Sequence, residues 1–294
     1  MNQRAAHLSN KIARKAQKAA DIWAKNYWHH FPFGGSPRAD RQAYLTLWEK
    51  AKAVSYPDIE AFETQKGFRI DPQWFHDLAL HTQIVVKDSV LCYQHGRVLY
   101  AALREYAESR KKQWDQDKIP QGQRMLTILE TGTARGFSAV CMARALADAD
   151  MCGKIITLDL LPHDVRMYWN CIDDHEGTKT RAELLAPWKT LVDAYILFIE
   201  NDSRIGIRRT ATGRIHFAFL DGAHTYEDIM IEFDMVRQRQ EEGDVIVFDD
   251  YNPVLFPGII KGVDEGCTRW GYRKDVFGDR QGRSYVIACK NAVS

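Results

Sequence analysis

Hydrophobic positions divide the chain near residue 120 into two parts with different periodicities. In the second part, nearly continuous apolar runs rich in β-branched residues alternate with segments of helical pattern. Such runs are typical of parallel strands that are covered on both faces. The predicted strands are 125–130, 154–160, 195–200, 214–221 and 244–250. The alternation predicts an α/β open sheet, a fold whose ligands bind at the carboxyl ends of the strands.

The end of the chain and the links between strands refine this sheet. Two of the links, 136–149 and 225–242, have the apolar spacing of helices. The segment 275–290 is typical of a hairpin with a polar turn that contains glycine. The hairpin predicts an antiparallel edge on the otherwise parallel sheet.

The first 120 residues show helical spacing and no convincing strand. Apolar residues recur there at steps of three and four, as on one face of a helix. They are Leu8, Ile12, Ala16, Ala19, Trp23 and Tyr27. Further helices are predicted near 40–54, 57–66 and 82–110, after a Gly- and Pro-rich break at 31–40. We predict a helical extension over 1–80, for oligomerisation or for capping the active site, and a catalytic domain over 81–294.

Composition and charge narrow the class of protein. The 294 residues are 45% hydrophobic and 27% charged, as in ordinary globular proteins, and the formal net charge of +1 gives no general attraction to nucleic acid. No apolar run reaches the roughly 18 residues of a membrane span. Six scattered cysteines without a CxxC pair indicate reduced thiols and argue against zinc. We expect a cytoplasmic protein, although the basic start also has the composition of a mitochondrial presequence.

The loop after the first strand, "ETGTARGFSAV" (130–140), carries Glu130, Gly132 and Gly136. Its spacing is ExGxxxG, whereas a dinucleotide site has GxGxxG and binds a pyrophosphate. An acid before the loop would repel a pyrophosphate. The loop therefore favours a nucleoside ligand that carries a positive group, with a tight turn without ligand as the alternative.

Acids also follow the second and third strands. Asp159 stands where a carboxylate can accept both ribose hydroxyls. Asp202, in "ENDSR", can accept from an adenine amino group. Each residue can instead cap a helix or turn.

Together these residues resemble the class I S-adenosylmethionine-dependent methyltransferases, over roughly residues 82–290. The resemblance implies a Rossmann-like, doubly wound sheet of seven strands with one antiparallel edge strand, and S-adenosyl-L-methionine as cofactor. It assigns cofactor contacts to Glu130, Gly132, Thr133, Gly136, Ser138, Asp159, Asp202, Ser203 and Asp221.

Three carboxylates end the fourth and fifth predicted strands: Asp221, then Asp249 and Asp250. In a doubly wound sheet these strands are neighbours, so the acids converge and raise one another's pKa unless a cation joins them. Three oxygen ligands suit Mg²⁺, or another divalent cation, better than zinc. Helix caps and surface acids are the alternative interpretation.

The pattern "DGAHTYE" (221–227) followed by "DDY" (249–251) resembles the metal-dependent O-methyltransferases akin to macrocin O-methyltransferase, which act on sugar hydroxyls of natural products. Cephalosporin hydroxylase proteins share much of this pattern. Some relatives carry a catalytic aspartate where this chain has Ala223. The next residue, His224, fits the role of general base because an imidazole accepts protons near neutral pH. His224 as a helix cap is the alternative.

The sequence thus predicts a divalent-metal-dependent O-methyltransferase with His224 and Asp221 as catalytic residues. The expected substrate is a hydroxylated small molecule, either a sugar or a glycosylated natural product. Neither nucleic acid nor a membrane is expected as a partner. The long insert at 161–189 either contacts this substrate or packs on the sheet. One alternative is an oxidative enzyme on the same scaffold, which a single motif histidine argues against. Another is a non-catalytic cofactor-binding partner. A homo-oligomer through the N-terminal helices is also expected.

Overall fold

The core of the fold is a seven-stranded sheet. The computed structural model describes residues 32–222, 224–278 and 283–292. The strands are β1 (Leu126–Thr131), β2 (Gly153–Asp159), β3 (Ile196–Glu200), β4 (Phe217–Leu220), β5 (Val245–Phe248), β6 (Tyr272–Gly278) and β7 (Ser284–Lys290). Their order is β3-β2-β1-β4-β5-β7-β6. The first five strands are parallel, and β7 runs antiparallel to both β5 and β6.

Ten α-helices are described around this sheet. They are α1 (Arg41–Lys52), α2 (Pro57–Lys66), α3 (Pro72–Thr82), α4 (His95–Gln116), α5 (Phe137–Asp148), α6 (Arg181–Leu184), α7 (Lys189–Tyr195), α8 (Ser203–Arg209), α9 (Tyr226–Arg237) and α10 (Pro257–Trp270). Short 3₁₀ helices span Gln121–Gln123, Ile172–Glu176 and Ala186–Trp188. None of the helices in these ranges is long and apolar enough to cross a bilayer.

Two hydrophobic clusters cover the two faces of the sheet. One cluster joins the sheet residues Phe217 and Phe219 to α4, α5 and the preceding helices, which contribute Tyr44, Ile59 and Phe75. The other lies beneath α9 and α10. Helices α1 to α3 therefore share a core with the sheet, while the predicted boundary between residues 80 and 81 stays a prediction.

The predicted sheet is confirmed, with shorter fourth and fifth strands and with the terminal hairpin in place. Three predicted features lie outside the described residues. They are the helix expected within 8–27, the departure from the motif at Ala223, and the turn of the hairpin at 279–282.

The predicted helix over 82–110 is wrong over residues 83–94. Residues 83–94 are not helical, and a separate helix, α3, precedes them. Asp71 caps α3 by accepting from the backbone N of Trp74 at 2.8 Å, and Pro72 occupies the first turn, where its missing N–H costs nothing. The backbone N and O of Val86 bond instead to the side chain of Asn170 at 3.1 and 2.9 Å, in place of helical hydrogen bonds.

The insert at 161–189 packs on the domain through a small apolar cluster. Trp169 is fully buried there with Leu161, Met167 and Leu184. Its indole N–H donates to the carbonyl of Lys179 at 2.8 Å. Trp169 is thus a core residue and not part of an open aromatic surface.

Candidate active site

The loop after β1 depends on glycine at Gly132. Its φ is +88°, and a Cβ there would lie 2.2 Å from the carbonyl O of Asp221. Gly136 has a φ of +89° at the start of α5. Only glycine adopts such backbone readily. The missing side chain at Gly132 lets the first loop lie directly against the end of β4.

Glu130 supports this loop through hydrogen bonds to neighbouring hydroxyl groups. It is fully buried and accepts hydrogen bonds from the hydroxyls of Ser138 and Thr157. Thr133 Oγ1 lies 2.5 Å from Thr157 Oγ1. Burial raises the pKa of Glu130 to about 7. The predicted cofactor residues Glu130, Thr133 and Ser138 thus form one buried network that fixes the loop.

A cavity of about 390 Å³ opens at the carboxyl ends of the parallel strands. Ligand sites of small molecules have volumes of this order. Its walls include Phe33, Gly132, Ala134, Leu158, Asp159, Leu160, Leu161, Asn201, Asp202, Ser203, Arg204, Gly222 and Asp228. Several predicted cofactor residues therefore share one cavity.

Asp159 is fixed at the cavity wall. Its Oδ2 accepts from the backbone N of Ala134 at 2.5 Å, and its Oδ1 accepts from that of Leu161 at 2.8 Å. The buried guanidinium of Arg181 donates to the carbonyl of Ala134 at 2.9 Å and lies 4.0 Å from Asp159. A carboxylate has about four acceptor sites, so Asp159 can still accept from a diol.

Asp202 and Ser203 also line the cavity, but both already have partners. Asp202 accepts from the backbone N and the Nε of Arg204, each at 3.0 Å, and from its Nη2 at 2.6 Å. Hydrogen bonding to Arg204 lowers the pKa of Asp202. Ser203 Oγ donates to Glu232 at 2.5 Å. An adenine amino group would therefore share Asp202 with Arg204.

Sequence reasoning missed Phe33 as a cavity residue. Its ring lies 5.7 Å from that of Trp169, and the guanidinium of Arg135 lies 4.2 Å from its centre. Phe33 follows no periodic pattern and is more than 90 residues from the first loop. The only local signal was its place in the Gly- and Pro-rich break.

The carboxylates that end β4 and β5 converge as predicted, because the two strands are paired. Asp221, His224 and Asp250 each offer a ligand atom, and these atoms lie within 4.8 Å of one another. The Nε2 of His224 is 3.5 Å from Oδ2 of Asp250. Burial, and then the charges of Asp249 and Asp250, raise the pKa of Asp221 well above its usual value. This group can hold a cation or move a proton.

Asp249 lies beside Asp221 and Asp250, but its carboxylate is already paired with a guanidinium, and its predicted role as a metal ligand stays a prediction. It is 2% exposed, and its two oxygens accept from Nε and Nη2 of Arg283 at 3.0 and 2.5 Å. Although burial opposes ionisation, Arg283 and His95 hold the pKa of Asp249 below its usual value. The group of potential ligands contains His224 and not Asp249. Asp249 instead pairs with a guanidinium from the terminal hairpin, and the strand pattern did not reveal this partner.

Comparison with known proteins agrees with the fold and the enzyme class. Residues 129–251 match a family model described as a methyltransferase domain. A search of curated proteins gave no significant match. Cofactor-bound Rv0187 from MTB is 16% identical with a TM-score of 0.53, over 82% of this chain and 99% of that chain. The predicted class I methyltransferase fold is therefore confirmed, as is a methyltransferase as the class of enzyme.

Two O-methyltransferase structures are also similar to this chain. TomG from Streptomyces achromogenes, involved in tomaymycin synthesis and in complex with SAM, is 17% identical with a TM-score of 0.48, over 76% of this chain and 92% of its own. NovP is 16% identical with a TM-score of 0.48, over 69% and 83%.

Proposed function

We propose that this chain, which carries a class I methyltransferase domain, transfers the methyl group of S-adenosyl-L-methionine to a hydroxyl oxygen of a small molecule. The proposal rests on the position of the cavity next to a group of polar side chains. Gly222 lines the nucleoside-sized cavity, and its chain neighbour Asp221 belongs with His224 and Asp250 to the adjoining polar group. A cofactor cavity thus borders a group able to accept a proton.

The cofactor assignment rests on the cavity and on the domain match. Asp159 offers acceptor oxygens for the ribose hydroxyls, and Gly132 lets a ligand approach the first loop closely. The loop has the spacing ExGxxxG and not the GxGxxG of a dinucleotide site. Charge is cancelled when an oxygen nucleophile attacks the sulfonium methyl, so alignment in a cavity closed to water accelerates the reaction.

His224 is the proposed proton acceptor. It is partly exposed, so a substrate can reach it, and its Nε2 lies 3.5 Å from Oδ2 of Asp250. The imidazole also contacts the Phe256 ring in a T-shaped arrangement, with the centroids 4.8 Å apart. His224 would take the hydroxyl proton as the oxygen attacks the methyl carbon.

We further propose that a divalent cation, Mg²⁺ or another, assists at the same place. Asp221 and Asp250 would hold it, since their oxygens lie close together. When bound, such a cation supplies positive charge that lowers the pKa of a neighbouring hydroxyl. The acceptor class, a sugar or glycosylated natural product, rests on the resemblance of the two acidic motifs alone.

The proposal is tested with methyl-labelled S-adenosylmethionine and pools of sugars, glycosylated natural products and phenols. We expect label to enter an oxygen-linked methyl group of one pool, and Asp159→Asn, which weakens cofactor binding, to reduce this transfer. Absence of transfer to any pool, together with iron-dependent oxygen consumption, would favour the oxidative alternative.

A further inference from the structure

We propose that the guanidinium of Arg283 competes with a divalent cation for Asp249, at the carboxyl ends of β4 and β5. Metal binding would then depend on Asp221 and Asp250 and not on Asp249. This inference rests on the proposed function, because it concerns the metal site of that reaction.

Arg283 and Asp249 form a bidentate ion pair. Nε and Nη2 donate to the two carboxylate oxygens at 3.0 and 2.5 Å, and Nη2 also lies 3.5 Å from Oδ1 of Asp250. Nη1 donates to the carbonyl of Cys92 at 3.3 Å. Paired bonds of this kind are among the strongest that a carboxylate makes in proteins.

The backbone holds Arg283 in this position. It directly precedes β7, which pairs with β5, and Phe248 lies opposite Val286 in that ladder. The backbone N of Tyr251 also donates to the carbonyl of Ser284 at 3.1 Å. Phe248 and Tyr251, on either side of Asp249 and Asp250, are thus paired with β7, the strand that Arg283 precedes.

The inner side of Asp249 is closed as well. Nδ1 of His95 lies 3.9 Å from Oδ2 and has no hydrogen-bond partner among the described residues, and the residue is 6% exposed. The imidazole stacks on Phe219 and meets the edge of Phe137, with centroids 6.0 and 5.0 Å away. Oδ1 also accepts from the backbone N of Asp250 at 2.7 Å. A metal ion can reach Asp249 only by displacing Arg283.

Such a displacement is unfavourable. It would break two charged hydrogen bonds between Arg283 and a carboxylate that is 2% exposed, and separating a buried ion pair is costly. Asp221 and Asp250 are held less tightly: no hydrogen bond to the Asp221 carboxylate is present within the described part of the chain, and Arg283 approaches Asp250 only at 3.5 Å through one nitrogen.

The test is a titration of the full chain with Mn²⁺, with free Mn²⁺ followed by electron paramagnetic resonance. We expect Asp221→Asn and Asp250→Asn to weaken binding at least tenfold, and Asp249→Asn to change it less than threefold. Arg283→Gln should strengthen binding at least tenfold, and the double variant Arg283→Gln with Asp249→Asn should lose that gain. Circular dichroism shows whether each variant is folded.

Two results would overturn the inference: loss of Mn²⁺ affinity in Asp249→Asn equal to that in Asp250→Asn, or unchanged affinity in a folded Arg283→Gln protein. If Arg283→Gln does not fold, the comparison of Asp249→Asn with Asp250→Asn decides alone. Binding of S-adenosylhomocysteine is measured in parallel. Nucleoside binding without any Mn²⁺ binding would contradict the metal inference and leave methyl transfer standing, whereas loss of nucleoside binding would contradict the proposed function itself.

Discussion

The Nε2 of His224 lies 3.5 Å from Oδ2 of Asp250, although the two residues follow different strands. The parallel pairing of β4 and β5 brings their carboxyl ends together and thus creates this contact. Asp250 itself has a φ of +55°, a left-handed conformation that is uncommon outside glycine. Backbone strain of this kind concentrates at functional sites, which agrees with a role for this pair in proton transfer.

Replacing His224 tests that role. We expect His224→Ala to lower kcat by about 10²- to 10⁴-fold, the usual contribution of a general base. Affinity for S-adenosylhomocysteine should change less than threefold, because the imidazole is assigned to the acceptor side. Glu227→Gln, an exposed position three residues later, is the control and should keep full activity. Equal kcat values for His224→Ala and the unaltered protein would remove His224 from the mechanism.

Asp159 and Asp202 should contribute unequally to cofactor binding. Asp159 has acceptor sites left for a diol, whereas Arg204 already binds Asp202. Hydrogen bonds to a charged group contribute about 1.5–3 kcal/mol, so Asp159→Asn should weaken S-adenosylhomocysteine binding by roughly 10- to 100-fold. Asp202→Asn should weaken it less. Calorimetric titration of both variants checks the order, and the reverse order would show that the nucleoside lies differently.

Much of the fold was predictable because its signals are local. An apolar run marks a buried strand whatever lies elsewhere in the chain, so all five parallel strands and the hairpin were found. Helix α3 was missed although Asp71 and Pro72 mark its start, and residues 83–94 were assigned to a helix. The backbone of that segment bonds to Asn170, more than 80 residues away, and no local pattern reports such a contact.

The site was predictable to the same extent and for the same reason. Strand ends identified Asp159, Asp221 and Asp250, since sheet topology brings such ends together. Arg283 reaches Asp249 from 34 residues away through the register of the hairpin, and Phe33 enters the cavity from an irregular segment. Side-chain partners of this kind depend on packing in three dimensions, which periodicity does not encode.

Gly132 should tolerate no side chain. In Gly132→Ala the new Cβ would meet the carbonyl of Asp221 at 2.2 Å and would also sit at a φ of +88°. Left-handed strain alone costs about 1–3 kcal/mol, so we expect a lower Tm and at least tenfold weaker S-adenosylhomocysteine binding. Gly213→Ala, where a Cβ meets nothing within 4 Å, is the matched control. Thermal unfolding and titration of both variants test this, and similar behaviour of the two would contradict the packing described here.

Glu232 should make stability depend on pH. Burial raises its pKa from 4.5 to about 7, although the hydroxyls of Ser203 and Thr131 bond to it. The folded protein therefore holds a proton that the unfolded chain releases, so this contribution is full below pH 4.5 and is lost as the pH rises towards 7. At 1.36 kcal/mol per pKa unit the change is on the order of 3 kcal/mol.

The free energy of unfolding, measured with urea at pH 5 and pH 8, tests this expectation. The glutamine in Glu232→Gln cannot ionise. The free energy of unfolding of this variant, minus that of the unaltered protein, should therefore rise from pH 5 to pH 8. Other buried groups titrate in both proteins and cancel in the comparison. A difference that does not vary with pH would mean that Glu232 is already ionised at pH 5.

The most direct test of the central claim is calorimetric titration of the purified protein with S-adenosylhomocysteine, with Mg²⁺ and with chelator. We predict micromolar binding that Asp159→Asn weakens, and a change in affinity or enthalpy with metal that depends on Asp221 and Asp250. Absence of binding under both conditions would contradict the assignment of the 390 Å³ cavity to this cofactor and, with it, the proposed methyl transfer.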